Sequence, residues 1–335
     1  MKIIFFGLEK DKQAIFLDSF KDAGVSFFEE KLDENNVALA KDAEVISVFV
    51  NGTINKNVID ALPNLKFIAT RSTGFDHIDY EYAASKGIKI SNVPAYGSHT
   101  VAEFAFGLLL NLSRNIIKAN NHIRETSSFN YDMGMEGFDL QGKTLGIVGT
   151  GKIGKNVVKI AKAFEMNVVA FDLYPDLAFA KENKFEYKSL NEVMSGSDVV
   201  TLHAPYNKEN HHLINKENIS KMKKGAYLIN TARGELIDTE ALVWGLKERI
   251  ISGFGADVLE DERILKDEKN LLRNGKLKET EMKMINLNHE LMKMPNVIVT
   301  PHIAFYTREA VNEILKVTVL NIKSFIAGNP VNLVK

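Results

Sequence analysis

The sequence contains no cysteine, which excludes disulfide bridges, thiolate nucleophiles and cysteine-ligated metal sites. It has almost no net charge: 42 Lys and Arg against 43 Asp and Glu leave −1 at pH 7, so no overall field draws the chain to nucleic acid or to an anionic membrane. Long apolar runs are missing. The most apolar helical stretch, VAEFAFGLLLNL, is interrupted by Glu103 and Asn111 and cannot serve as a membrane span. The opening MKIIFFGLEKDK has too short an apolar run for a signal peptide and no small-residue cleavage site. Internal repeats and low-complexity tracts are also missing. The expectation is a cytoplasmic globular protein with neither nucleic acid nor membrane as a partner.

What is present is alternation. A chain of 335 residues is long for one domain and implies two. Short runs rich in Ile, Val and Phe (KIIFFG, VSFFEE, AEVISVFV, LKFIAT, GIKISNV) read as strands, separated by the helical patterns DKQAIFLDSFKDAG, NKNVIDAL and DYEYAASKG. The first and third of these end in a glycine suited to a helix C-terminus. This order predicts a parallel sheet with helices on its faces. A long helical pattern follows from Ser98, with Ser98 or Thr100 as the expected cap and Glu103 completing a capping box. Its apolar residues lie on most sides, so it should be buried. The alternation then restarts with KTLGIVG, NVVAFD, DVVTLHAP, GAYLINTAR, SGFGADVL and NVIVTPH. A last long helix, beginning TREAV, is expected to pack back on the first domain. That gives a discontinuous domain, 1–98 with 305–335, around an inserted domain, 99–304.

The strongest single motif is Gly149, Gly151 and Gly154 in GTGKIGKNV. A lone G-x-G-x-x-G is weak, but here a strand precedes it, a helix with Ile153, Val157, Ile160, Ala161 and Phe164 on one face follows, and a second strand ends in Asp172. Gly149 makes the tight turn, Gly151 admits a pyrophosphate, and Gly154 lets helix and strand approach. The helix N-terminus offers N–H groups and partial positive charge to phosphate. Asp172 accepts hydrogen bonds from ribose hydroxyls and repels a 2′-phosphate, and Leu173, Tyr174 and Pro175 bring no offsetting cation. NAD is therefore favoured over NADP. Lys152 has two readings, phosphate contact or solvent-facing residue.

Ligands of doubly wound sheets bind beyond the carboxyl ends of the strands. Arg233 follows one such end, Asp257 and Glu262 the next, and His302 the last. Each alone has an ordinary structural explanation: a surface arginine, a loop-capping Asp257, a solvated acidic run around Glu262, a hydrogen-bonded strand-end histidine. Together at successive strand ends they compose a reaction. A guanidinium grips a carboxylate by two hydrogen bonds. A histidine moves a proton near neutral pH, and a carboxylate beside it fixes its tautomer and favours its charged form. With a nicotinamide, this set suits interconversion of 2-oxoacids and 2-hydroxyacids.

At these residues the chain resembles the D-isomer-specific 2-hydroxyacid dehydrogenases. The resemblance runs through GTGKIGKNV, LHAP, LINTARGELID, GADVLEDE and NVIVTPH in the family's order. RSTGFDHID, NVPAYGSHTVAEFAFGLLL and PHIAFYT are most similar to its D-lactate dehydrogenase subgroup. It implies an α/β architecture of two doubly wound parallel-sheet domains, a Rossmann NAD-binding domain inserted in a flavodoxin-like catalytic domain. It also implies roles: Arg233 for the substrate carboxylate, His302 as acid/base, Glu262 as its partner, and Asp257 tuning the histidine beside the nicotinamide. The amides of Thr73 and Gly74 would help hold the carboxylate, and Tyr96 and Phe305 would shape the pocket. Lys152, Ile153, Asp172, Ala204, Pro205, Asn210, Thr231 and Asp257 match positions that contact NAD. Family members close a cleft over a small 2-oxoacid or 2-hydroxyacid and commonly pair as homodimers through the NAD-binding domain, here at the long helix after Ser98. Two departures stand out. Leu259 replaces a frequent Tyr, and the charged segment 263–293 is longer than in many members.

Overall fold

The computed structural model describes residues 1–334 apart from Asp132, Asn274 and Lys276, with the backbone alone at Met133. The chain divides into two compact units, Met1–Tyr96 with Tyr306–Lys335, and Gly97–Phe305.

The first unit begins with β1 (Lys2–Phe6), α1 (Ala14–Ser19), β2 (Gly24–Phe28), β3 (Val45–Val48), α2 (Lys56–Asp60), β4 (Phe67–Thr70), α3 (Tyr80–Ser85) and β5 (Lys89–Ser91). The strands form one parallel sheet in the order β2-β1-β3-β4-β5, the flavodoxin-like order. β3 and β4 are buried along their whole length, which is why they read as unbroken apolar runs rather than alternating ones. The two glycine stops behave differently. Gly87 follows α3 with φ 75°, as a helix-ending glycine does. Gly24 instead opens β2, because α1 has already closed at Ser19 with the Phe20 N–H on the Phe16 carbonyl.

The second unit holds α4 (Ser98–Arg114), α5 (Ile116–Thr126), β6 (Thr144–Val148), α6 (Lys152–Ala163), β7 (Asn167–Phe171), α7 (Leu177–Glu182), β8 (Glu186–Tyr187), α8 (Leu190–Gly196) and β9 (Val199–Leu202). It continues with α9 (Lys216–Ile219), β10 (Ala226–Asn230), α10 (Thr239–Lys247), β11 (Ile251–Ala256), α11 (Glu262–Arg273), α12 (Glu279–Lys293) and β12 (Val297–Val299). Its seven parallel strands run β12-β11-β10-β9-β6-β7-β8. The strand order reverses between β6 and β9, the switch point of a Rossmann sheet. The two-residue edge strand β8 was not among the expected elements. The chain then returns to the first unit as α13 (Arg308–Ile326). There Leu315 and Ile322 join Phe5, Phe16 and Phe67 in one core, and Phe325 stacks on Phe67 with ring centroids 4.3 Å apart.

Two expectations are corrected. The single long helix after Ser98 is two helices, because Asn115 takes a left-handed conformation (φ 52°) with its side-chain amide on the Glu136 carbonyl; asparagine tolerates that region better than most residues. Neither Ser98 nor Thr100 caps α4. Gly97 is the N-cap, packed against Phe305, without a side-chain cap bond. α4 is buried as expected, within its own unit, whereas α5 buries no residue. The charged segment forms α11 and α12. Leu291 of α12 lies in the core, and His289 pairs with Glu268 of α11 at 3.1 Å, so α12 is a structural layer of this unit. Leu259 is buried in the same core, in keeping with a packing difference at that position. Among the described residues, no helix is long and apolar enough to cross a membrane.

Candidate active site

The register of the larger sheet sets the geometry. Val148 of β6 pairs with Phe171 of β7 and with Leu202 of β9; Leu202 pairs with Asn230, Asn230 with Ala256, and Ala256 with Val299. All six carboxyl ends therefore stop on one line. Just beyond them stand Gly149, Asp172, Ala204, Arg233, Asp257 and His302, so the polar residues scattered along the sequence share one edge of one sheet. At ~4.8 Å per strand step, β6 and β12 lie ~19 Å apart. A ligand anchored at the glycine loop must be long to reach His302, as a dinucleotide is.

At the β6 end the glycines have separate jobs. Gly149 has φ 93°, and a Cβ there would lie 2.6 Å from the Ala204 nitrogen. A Cβ on Gly154 would lie 2.1 Å from the Gly149 oxygen, so this glycine is required by helix–strand contact. Gly151 is different. Nothing lies within 4 Å of a Cβ built there, which leaves the approach to the α6 N-terminus open for a phosphate. Asp172 is held in place. Its Oδ2 accepts from the Thr150 N–H at 2.6 Å and the Thr150 hydroxyl at 2.8 Å, and its Oδ1 accepts from the Tyr174 N–H at 2.9 Å. Tyr187 of β8 braces Thr150 through its hydroxyl at 2.8 Å. Neither Thr150 nor Tyr187 was named from the sequence.

The other expected cofactor contacts are unequal. Thr231 carries a buried hydroxyl without a hydrogen-bond partner among the described residues, and an orphaned polar atom at this edge fits a polar ligand. Ala204 and Pro205 follow β9 directly, where Ala204 backs Gly149. The Asn210 side chain is already committed, donating to the Pro205 carbonyl at 2.7 Å and accepting from the Asn207 N–H at 2.8 Å. Lys152 is exposed and Ile153 half-buried at the start of α6. The open side of Gly151 and the orphaned Thr231 hydroxyl together fit NAD.

At the β10–β12 end His302 and Glu262 meet. His302 Nδ1 donates to Glu262 Oε1 at 2.7 Å, with side-chain exposures of 24% and 23%. Burial alone would raise the Glu262 carboxyl, but the hydrogen bond and charge of His302, with those of Lys266 behind them, hold it down at about 2. Lys266 reaches the same oxygen from one helical turn on, at 3.1 Å. Because Nδ1 faces Glu262, Nε2 lies on the far side of the ring. His302 itself has φ 60°, an uncommon backbone that needs outside support. Asp257, 1% exposed, supplies it: its carboxylate accepts from the Thr300 hydroxyl at 2.5 Å, the Ile303 N–H at 2.9 Å and the Ala304 N–H at 2.6 Å. Burial pushes the Asp257 carboxyl up and these bonds oppose the rise.

Arg233 is brought to the same corner by Gly234, where a Cβ would lie 2.0 Å from the Leu259 carbonyl carbon, so the loops after β10 and β11 touch backbone to backbone. The buried Asn230 side chain fixes the Arg233 loop, donating to the Arg233 carbonyl at 2.8 Å and accepting from the Ala232 N–H at 3.0 Å. Half-buried Glu235 feels both sides: burial and then Glu262 push its carboxyl up, while Arg233 opposes. The fold thus gathers Arg233, Asp257, Glu262 and His302. Thr73, Gly74 and Tyr96 belong to the first unit. There Thr73 donates its hydroxyl to the Val93 carbonyl at 2.8 Å, and the Gly74 carbonyl accepts from the Ser72 hydroxyl at 2.6 Å. Phe305, half-buried, is the last residue of the second unit.

Comparison with known proteins agrees with this geometry. Residues 106–304 match the family described as D-isomer specific 2-hydroxyacid dehydrogenase, NAD binding domain. An aromatic 2-oxoacid reductase of Clostridium sporogenes is 38% identical over 334 residues, 97% of this chain and 96% of that protein. A D-lactate dehydrogenase of Escherichia coli is 37% identical over 306 residues, 91% of this chain and 90% of that one. A solved D-lactate dehydrogenase of Aquifex aeolicus, complexed with NAD and lactic acid, superposes with a TM-score of 0.84 at 37% identity, covering 98% of this chain and 96% of that one. With a glycine loop at the switch point of the sheet and an acid-paired histidine beyond its edge strand β12, this chain belongs to the D-isomer-specific 2-hydroxyacid dehydrogenases, oxidoreductases that here use NAD.

Proposed function

We propose that the protein is a D-lactate dehydrogenase that reduces pyruvate with NADH to D-lactate and NAD⁺. The observation that carries the reading is the 2.7 Å pair between His302 and Glu262 beyond β12, on the same carboxyl edge of the sheet as the glycine loop after β6. NADH, when bound, would supply the hydride for the carbonyl carbon. Arg233 grips the substrate carboxylate and fixes which face of the carbonyl is presented. His302, held through Nδ1 by Glu262, gives its Nε2 proton to the carbonyl oxygen as the alkoxide develops, and takes it back in the reverse direction. Asp257 holds the His302 loop rigid through its three bonds. Lys152, Ile153, Asp172, Ala204, Pro205 and Thr231 hold the cofactor, Asn210 by its loop backbone. The roles of Thr73, Gly74, Tyr96 and Phe305 in substrate binding rest on the family resemblance. The similarity to the D-lactate dehydrogenases of Escherichia coli and Aquifex aeolicus supports pyruvate as substrate.

One observation favours a second reading. The aromatic 2-oxoacid reductase of Clostridium sporogenes is just as similar, so a bulkier 2-oxoacid such as phenylpyruvate is the competitor. Comparing kcat/KM for pyruvate, 2-oxoisocaproate and phenylpyruvate by NADH absorbance decides between them. A preference for phenylpyruvate removes the lactate assignment and leaves the reaction intact. NAD binding without turnover on any 2-oxoacid removes the enzyme reading in favour of a nucleotide-sensing scaffold. We further propose a homodimer formed through the NAD-binding unit. Ile116, Ile117 and Ile123 of α5, with Phe129 and Tyr131 after it, stand exposed and offer apolar side chains to a second copy. Sedimentation equilibrium tests it.

A further inference from the structure

The loop after β9 and the turn after β11 bring together three donors that transition metals favour. His211 and His212 directly follow Asn210, and His212 has a left-handed backbone, φ 53°. Adjacent side chains in extended chain diverge, yet here the two imidazoles stack with centroids 3.8 Å and planes 23° apart. Glu260 comes from the β11 turn, 7% exposed, with Oε1 2.6 Å from His212 Nε2. One ligand atom from each of the three residues lies within 4.8 Å of the others, the only such group among the described residues.

The surroundings look built around that carboxylate. Glu260 Oε2 accepts from the Thr239 hydroxyl at 2.6 Å and the Thr239 N–H at 3.3 Å, and the Asn288 amide donates to the Glu260 carbonyl at 2.9 Å. Metal-binding carboxylates are oriented by outer hydrogen bonds of this kind. The Tyr206 hydroxyl lies 3.4 Å from His211 Nδ1, which leaves His211 Nε2 as the outward donor.

We propose that His211, His212 and Glu260 bind a divalent transition-metal ion, zinc by donor preference, as a clamp between the β9 loop and the turn that carries Glu262. Two histidines and a carboxylate form the donor set of an open zinc site, with remaining positions taken by water, whereas calcium and magnesium call for oxygen donors. Two adjustments are needed. With zinc about 2.1 Å from each donor, a tetrahedral site spaces nitrogen and oxygen by ~3.4 Å, so the 2.6 Å contact must open and the proton shared there must leave. The stacked rings also direct their lone pairs side by side rather than toward one point. His211 must therefore swing out of the stack, which its exposure allows. Because Glu260 lies two positions before Glu262, the ion would restrain the turn bearing the acid partner of His302, and zinc would slow turnover. This last consequence rests on the proposed reaction; the metal site does not.

The test uses full-length, untagged, chelator-treated protein. Cobalt(II) is titrated in and its visible absorption followed, with zinc then added to displace it. The expected result is one ion per chain, a spectrum stronger than that of the hydrated ion, loss upon zinc addition, and affinity reduced at least tenfold in His211→Ala. Because Glu260 is buried and its replacement can disturb folding, the exposed His211 is the decisive variant, and His211→Cys should restore zinc affinity. A cobalt spectrum that stays that of the hydrated ion, or equal affinity in wild type and His211→Ala, overturns the site. Zinc that binds without slowing wild-type turnover overturns the regulatory part. The 2-oxoacid reductase rate of the metal-free protein is read in the same preparation, so loss of the proposed reaction and loss of the metal site give different results.

Discussion

The Ala304 N–H donates to the Asp257 carboxylate at 2.6 Å across a sequence separation of 47. With the bonds from Ile303 and Thr300, it pins both sides of His302. Asp257→Asn turns one acceptor into an N–H₂ group facing a donor. We expect a loss of ~1–3 kcal/mol, the usual cost of an unsatisfied buried group, visible in the urea midpoint, with kcat falling alongside. A variant with wild-type midpoint and wild-type kcat shows that the loop holds its own shape.

His302→Gln keeps a hydrogen-bonding side chain beside Glu262 but removes the transferable proton. Turnover is expected to fall ~10²–10⁴-fold, the usual worth of a general acid, while NADH affinity, read by fluorescence titration, stays near wild type. Full turnover in this variant sinks the mechanism.

Two glycines of one motif should fail in different ways. A Cβ at Gly154 would sit 2.1 Å from the Gly149 oxygen, so Gly154→Ala is expected to cost ~1–3 kcal/mol of stability through overpacking. Gly151, with φ −63° and nothing within 4 Å of an added Cβ, should accept alanine within ~1 kcal/mol yet bind NADH at least tenfold more weakly. Paired thermal melts and NADH titrations check this. Equal cofactor affinity in wild type and Gly151→Ala would falsify the assignment of that space to phosphate.

His203 predicts the shape of the acid limb. It is 8% exposed, its Nε2 lies 2.9 Å from the Thr201 hydroxyl, and burial pushes it from 6.5 down to about 3. Between those values the unfolded chain is protonated there and the native chain is not. Stability must therefore fall as pH drops from about 6.5 toward about 3, by up to ~1.4 kcal/mol per pH unit. Glu262 adds a second, lower window. Its carboxyl is depressed, so its contribution is present above about 4.5 and lost as pH falls toward about 2. His203→Asn should flatten the limb from pH 6.5 to 4.5, where His203 acts alone, lessen its slope from there to about 3, where Glu262 also contributes, and leave the part below about 3 intact. Urea midpoints that run parallel for both proteins across this range would rule out the buried histidine as the cause.

Much of the larger sheet was legible because its strands are buried on both faces and read as apolar runs, and because Gly149, Gly151 and Gly154 sit in a strand–turn–helix frame. The gathering of Arg233, Asp257 and His302 was legible because each follows a strand end, and the register aligns those ends. What escaped depends on contacts between distant segments. Nothing local marks Thr150 and Tyr187 as the support of Asp172, or Thr300 as a partner of Asp257. The helix break at Asn115 hides inside a continuous helical pattern, since asparagine is unremarkable until its amide finds Glu136. Lys266 looked like one of many charges in an exposed segment until the helix that starts at Glu262 placed it one turn on.

The return of α13 to the first unit has a bearing on biosynthesis. Phe67, Phe5 and Phe16 wait for Leu315, Ile322 and Phe325 to cover them, and those residues emerge from the ribosome only after Gly97–Phe305 has been translated. The nascent chain therefore carries a sticky aromatic face for most of its synthesis. A stop codon just before α13 should send the product to chaperones and inclusion bodies even though every residue of the proposed catalytic set has already been made.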